Sequence, residues 1–174
     1  MRFETLSLLG TWRVGTDRAE DPRGWFARTY DEALFRAHGL PTNWPQHNAS
    51  WSHRRGTLRG LHGVKQGYRE DKLIRCVRGR VWDVLVDLRP GSSTYLEWRG
   101  VELSAENGVA LYAPTGVFHG FQTLEDDCEV FYLMSEPYVP EAAVGIAWDD
   151  PKLAISWPLG DPILSERDRV NPRL

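Results

Sequence analysis

The stretch Val81-Trp82-Asp83-Val84-Leu85-Val86-Asp87-Leu88 alternates with period two. Side chains along a strand point to opposite faces in turn. Trp82, Val84, Val86 and Leu88 therefore share one face, and Asp83 and Asp87 share the other with Leu85. The pattern predicts a half-buried strand with one polar side. Outward from it, turn signals recur at short intervals: Asp21-Pro22-Arg23-Gly24, Pro41-Thr42-Asn43, Arg55-Gly56, Arg78-Gly79, Pro90-Gly91-Ser92-Ser93, Glu106-Asn107-Gly108 and Pro114-Thr115-Gly116. Runs rich in Val, Leu, Phe, Tyr and Trp lie between them, and Gly108–Tyr112 and Glu129–Met134 read as further strands. Short strands at this spacing predict a sandwich or barrel. Helix is scarce. Asp31 fits the cap of a short helix through His38, ended by Gly39, and Asp149-Asp150-Pro151 fits the start of a single turn.

The 174 residues predict one domain, spanning 1–174, with a core of ordinary size. The net charge of −3 is spread along the chain, which argues against nucleic acid or a membrane surface as partner. The short cluster His53-Arg54-Arg55 reads as a basic turn. Cys76 and Cys128, the only cysteines, sit in apolar segments and read as buried free thiols; they form no zinc-type spacing. There is no signal-like N-terminus, repeat, low-complexity tract or membrane-length apolar run, so a cytoplasmic protein is expected.

The chemistry concentrates at Leu58-Arg59-Gly60-Leu61-His62, with Lys72 ten residues on. Glycine in a strand lets another backbone or a ligand come close. Histidine exchanges a proton near neutral pH, and arginine offers a fork of donors suited to phosphate. A base with two cations suits a substrate that develops an oxyanion. Alone, His62 would read as a satisfied core histidine and Lys72 as a surface lysine. Tyr132 shares a strand face with Val130 and Met134, which suits either a packing residue or a general acid. Pro114-Thr115-Gly116-Val117-Phe118-His119 resembles the second metal-binding motif of cupin barrels. The first motif is broken, because Gly63 and Val64 follow His62 where the paired ligand would stand. Three or four convergent ligands are normally needed, so a metal-free cupin is expected.

The whole chain resembles the dTDP-4-dehydrorhamnose 3,5-epimerase family of nucleotide-sugar epimerases. The resemblance runs through Asp21-Pro22-Arg23-Gly24-Trp25-Phe26, Gln46-His47-Asn48, Leu58–His62, Asp71–Gly79, Val84–Ser92, Val101–Asn107, His119-Gly120-Phe121, Trp148–Pro151 and Leu164–Asp168. It implies an all-β, cupin-type antiparallel jelly-roll barrel with a few short helices. It also implies a homodimer whose N-terminal strands pack on the partner, and no cofactor or metal. The substrate class implied is a dTDP-4-keto-6-deoxyhexose, epimerised at C3, C5 or both through an enolate. By position, His62 matches the base and Asp168 the carboxylate that orients it. Tyr132 matches the acid, and Lys72 the group facing the C4 oxygen. Arg59 and His119 match substrate contacts in the cavity; Arg23, Phe26, Gln46, Asn48, Tyr138 and Arg167 match nucleotide or diphosphate contacts. Asp168 has no local signal of its own and reads as an exposed turn residue. Two alternatives share the fold: a 3,4-ketoisomerase, and a sugar-binding cupin without catalysis. The full set of His62, Lys72, Tyr132 and Asp168 favours epimerisation.

Overall fold

A computed structural model describes residues 1–174. The strands are β1 (Arg2–Thr5), β2 (Trp12–Gly15), β3 (Arg18–Asp21), β4 (Gly24–Ala27), β5 (Gln46–Ser52), β6 (Leu58–Val64), β7 (Lys72–Arg78), β8 (Arg80–Asp87), β9 (Trp98–Ser104), β10 (Val109–Ala113), β11 (Val117–Thr123), β12 (Cys128–Met134) and β13 (Ala143–Gly145). The helices are α1 (Glu32–Ala37) and α2 (Glu166–Arg169). Six strands form one sheet in the order β1-β2-β10-β7-β12-β5, and five form a second in the order β13-β6-β11-β8-β9. β3 and β4 make a separate hairpin. The strand pairings within these sheets are antiparallel. The fold is the expected cupin-type jelly roll, and no helix is long and apolar enough to cross a membrane.

The strand that opened the sequence reading, β8, is buried on both faces. Val81 and Leu85 belong to the main core with Ile74, Leu111 and Val130. Val84 and Val86 face outward from that core, into a second cluster with Leu61, Phe118, Ile146 and Leu153. The chain after β13 supplies part of this outer cover through Ile155 and Trp157. Asp83 and Asp87 are both 0% exposed, so the polar side predicted to meet solvent is enclosed instead. The alternation is right, but two layers of protein cover what one sheet alone would expose.

Burying these carboxylates demands partners. Asp87 accepts from Arg89 Nε at 2.8 Å and Nη2 at 2.7 Å, and from the Ser92 and Thr94 hydroxyls at 2.6 Å each. Burial pushes its carboxyl up, but these bonds outweigh that and hold it well below the usual carboxylate range. The expected buried thiols are present. Burial, with Cys128 nearby, pushes the Cys76 thiol up to about 12, which leaves it inert. Asp31 caps α1 by accepting from the Leu34 amide, and Gly39 follows at φ +70°. Asp149–Leu153 makes the expected turn, with Asp150 O accepting from Leu153 N at 3.1 Å.

Asp87→Ala should destabilise the fold by roughly 3 kcal/mol at pH 7, the scale of losing several charge-assisted hydrogen bonds. Because the folded-state carboxyl is held low, its contribution is full above the unfolded value of about 4 and fades as pH falls below it. The stability gap between parent and variant should therefore shrink between pH 7 and pH 3. Urea unfolding at both pH values measures it; a gap that is constant or grows on acidification contradicts the account.

Candidate active site

A cavity of about 320 Å³ opens between the two sheets, lined by Gln46, Asn48, His62, Glu70, Lys72, His119, Tyr132, Tyr138 and Arg167 among others. A lobe of about 200 Å³ adjoins it through His62, His119, Tyr132 and Arg167, and adds Arg59 and Asp168. Ten of the twelve site residues expected from the sequence therefore converge. The other two, Arg23 and Phe26, do not reach the cavity of their own chain. Arg23 sits between β3 and β4 with its side chain 90% exposed and paired to Asp21. Phe26 on β4 is 72% exposed.

His62 and Arg59 are three residues apart, and strict alternation would send them to opposite faces. A bulge in β6 corrects this. His62 lies opposite His119 and Arg59 opposite Phe121, so Gly60 and Leu61 together face the single residue Gly120. An extra residue in one strand re-aims the side chains beyond it. The two glycines are what the close crossing needs. A Cβ on Gly60 would stand 2.5 Å from Gly120 Cα, and one on Gly120 would stand 2.8 Å from Arg59 O. Gly63 serves packing as well, because a Cβ there would meet the Phe118 ring at 2.5 Å.

His62 Nε2 donates to Asp168 Oδ1 at 2.5 Å. Asp168 is not an exposed turn residue. It is 4% exposed, on α2, whose cap Ser165 accepts from the Asp168 amide. Asn171 Nδ2 lies 3.4 Å from Asp168 Oδ1, and Gly145 leaves room for its amide. Burial pushes the Asp168 carboxyl up, but the His62 bond and charge, Ser165 and the Gly60 backbone hold it below its usual value. An ionised carboxylate only accepts, so the His62 proton sits on Nε2 and the neutral ring keeps a lone pair on Nδ1.

Tyr132 stands on β12 in the six-stranded sheet, and His62 on β6 in the five-stranded sheet, so they rise from opposite walls. Burial and the charge of Glu70 push the Tyr132 phenol up, against a smaller opposing effect of Arg59, and it carries its proton at neutral pH. Lys72, on the Tyr132 wall, is 6% exposed rather than solvated, and its Nζ lies 2.5 Å from Glu70 Oε1. Beneath them His119 Nδ1 is 3.5 Å from Asp83 Oδ2. Burial pushes Asp83 up and His119 down, and their mutual contact opposes both. Near the mouth, Gln46 Nε2 donates to Asn48 Oδ1 at 3.2 Å, and the Tyr138 amide donates to Gln46 Oε1 at 2.8 Å.

Sequence reasoning missed two charged groups. Alternation puts Asp83 on the polar face of its strand, but gives no sign that this face is enclosed beside His119. Glu70 precedes Lys72 by two, a spacing that puts both on one side of an extended chain. No group of three or more His, Cys, Asp and Glu side chains converges as metal ligands would. His62 and His119 each meet their own carboxylate instead.

The family described as dTDP-4-dehydrorhamnose 3,5-epimerase matches residues 5–174. A dTDP-4-dehydrorhamnose 3,5-epimerase of Methanothermobacter thermautotrophicus is 46% identical over 171 residues, covering 97% of this chain and 91% of that protein. A dTDP-4-dehydrorhamnose 3-epimerase of Streptomyces niveus is 41% identical, with 97% and 82% covered. The crystal structure of the Bacillus anthracis 3,5-epimerase with TDP and pyrophosphate bound superposes with a TM-score of 0.96 at 37% identity, covering 99% of each chain. Matched from its N-terminal strands to its last residue, the chain belongs to the dTDP-4-dehydrorhamnose 3,5-epimerase family.

Proposed function

We propose that the protein epimerises a dTDP-4-keto-6-deoxyhexose at C3, at C5 or at both, with no metal or cofactor. The isomerase class follows from the family. The observation that carries the residue roles is the placement of base and acid on opposite sheets, with an ammonium beside the acid. Inversion requires exactly one proton to leave from one face of the ring and another to arrive from the opposite face.

The C4 ketone acidifies the neighbouring C–H bonds. His62, neutral with its lone pair on Nδ1, takes the proton, and the electron pair moves to the C4 oxygen as an enolate. Asp168 then faces an imidazolium and stabilises it. Lys72 supplies the positive charge for the enolate oxygen, where a preorganised donor in a buried site acts most strongly. Tyr132 delivers its proton to the same carbon from the opposite wall, and the electron pair returns from the oxygen to re-form the ketone. His62 loses its proton and Tyr132 regains one from solvent before the next turnover. Arg59 and His119 line the sugar end, and Gln46, Asn48, Tyr138 and Arg167 line the nucleotide side of the cavity.

Arg23 and Phe26 belong to this reading through a homodimer, in which the β3–β4 hairpin of each protomer covers the cavity of the other. The exposed Trp25 and Phe26 rings on that hairpin support it.

Three outcomes test the reading. Tyr132→Phe keeps the ring but removes its only proton, so it should retain deuterium exchange at the reacting carbon in heavy water yet form little inverted product. His62→Ala should lose both, by roughly a hundred- to ten-thousandfold. One NMR time course on dTDP-4-keto-6-deoxyglucose reads exchange and configuration together, and parent-rate inversion by Tyr132→Phe sinks its role. Exhaustive chelation should leave turnover intact; activity lost and then restored by one divalent ion would overturn the metal-free mechanism. The double variant Arg23→Ala, Phe26→Ala should raise KM for the dTDP-sugar about tenfold or more while sedimentation still reports the parent's mass. An unchanged KM removes the hairpin from the site.

A further inference from the structure

We propose that Glu70 is a positioning residue for the epimerisation: its carboxylate fixes the Lys72 ammonium in the cavity. The inference rests on the epimerase reading above and assigns a role to a residue that reading does not use.

Lys72 has four rotatable bonds, and a mobile ammonium is a poor clamp for a developing enolate. Here it is not mobile. The Glu70 and Lys72 side chains are 10% and 8% exposed and 2.5 Å apart. The groups around Lys72 offer no other counter-charge as near. Asp168 is bonded to His62, and Asp83 lies against His119, where burial favours its neutral form. Arg59 and Arg167 carry its own sign, and Tyr132 is a neutral phenol. A buried ammonium is held most firmly by a buried carboxylate in contact with it.

The backbone that presents Glu70 is itself fixed on both sides. The Glu70 amide donates to Thr115 Oγ1 at 2.9 Å. The next residue, Asp71, is 8% exposed and accepts from Thr115 N and Oγ1 at 2.7 Å each and from the Tyr112 hydroxyl at 3.1 Å. The Asp71 amide donates to Ser135 Oγ at 2.9 Å. Rigid support of this kind is what holds a reacting group in place. The same carboxylate acts on Tyr132 as a negative charge, which disfavours the phenolate.

Glu70→Gln keeps the shape and a hydrogen-bonding group but removes the charge. Without that counter-charge, burial favours the neutral form of Lys72 in the variant. The alkaline limb of kcat should move down by about one to two pH units. KM should stay within about threefold, since the Glu70 carboxylate pairs with Lys72 and with no residue assigned to the nucleotide. Glu70→Asp, which restores the charge, should return the limb toward its parent position. A limb that does not move in Glu70→Gln, or a kcat lowered equally at every pH, overturns the proposal and leaves Glu70 a structural residue.

A second measurement needs neither turnover nor a folded variant. The chain has only three lysines, Lys65, Lys72 and Lys152, so carbon-13 labelling of the methylene beside each ammonium resolves Lys72 in the parent. The two hydrogens of that methylene should be inequivalent in the parent, as in a side chain held in one geometry by the Glu70 carboxylate. Equivalent hydrogens, as in a freely rotating lysine, overturn the proposal. Parent activity on dTDP-4-keto-6-deoxyglucose tests the epimerase reading separately: if the parent is inactive, that reading fails while the lysine signal still reports on the positioning of Lys72.

Discussion

The hydrogen bond between His62 and Asp168 joins residues 106 positions apart, and much of the architecture serves to close that span. Asp168 lies beyond the last strand, on a segment with little regular structure of its own. The segment is held down at several points. Ala147 N donates to Pro172 O at 2.8 Å, Leu174 N to Asp150 Oδ2 at 2.6 Å, and Arg173 pairs with Asp149 at 2.9 Å. The stretch leading into it lays Ile155 and Trp157 over the outer face of the five-stranded sheet. One length of chain therefore covers an apolar face that would otherwise meet water and delivers the carboxylate that orients the histidine. Packing energy and site geometry are coupled here, since loosening the cover would release Asp168 as well.

A second constraint is local. Four residues of β6, Arg59 to His62, must aim two polar side chains into the same space, and period-two alternation forbids that at a spacing of three. The bulge supplies the missing residue, and glycine at 60 and 120 supplies the room. Gly60, which the sequence marks as a point of close approach for a backbone or a ligand, admits the backbone of the adjacent strand.

The electrostatics follow from burial. Two carboxylates enclosed at the cavity meet a group that can carry positive charge, Asp168 at His62 and Glu70 at Lys72, whereas Asp83 lies 3.5 Å from His119 with burial favouring the neutral form of both. Uncompensated charges would be costly between the sheets, whereas pairs can persist there. Pairing also differentiates the members. Asp168 is held ionised beside His62, while Tyr132 on the far wall is held protonated. Groups pushed in opposite directions across one cavity are the arrangement that acid-base chemistry requires.

The order of strands and turns was legible in the sequence because alternation and turn residues are local signals. β8, β10, β12 and the cap at Asp31 all stand within a residue or so of where pattern alone put them. The resemblance to an epimerase family was legible too, through motifs spread along the whole chain. What local signals could not carry was the outcome of long-range packing. Asp83 and Asp87 looked solvent-facing because one strand reports its alternation and not what covers it. Asp168 looked exposed because its burial depends on β6 and the C-terminal segment. Glu70 had a readable spacing to Lys72, yet its importance appears only once both are enclosed together. Sequence determined which residues share a face; tertiary structure decided which faces water reaches, and so which charges had to find one another.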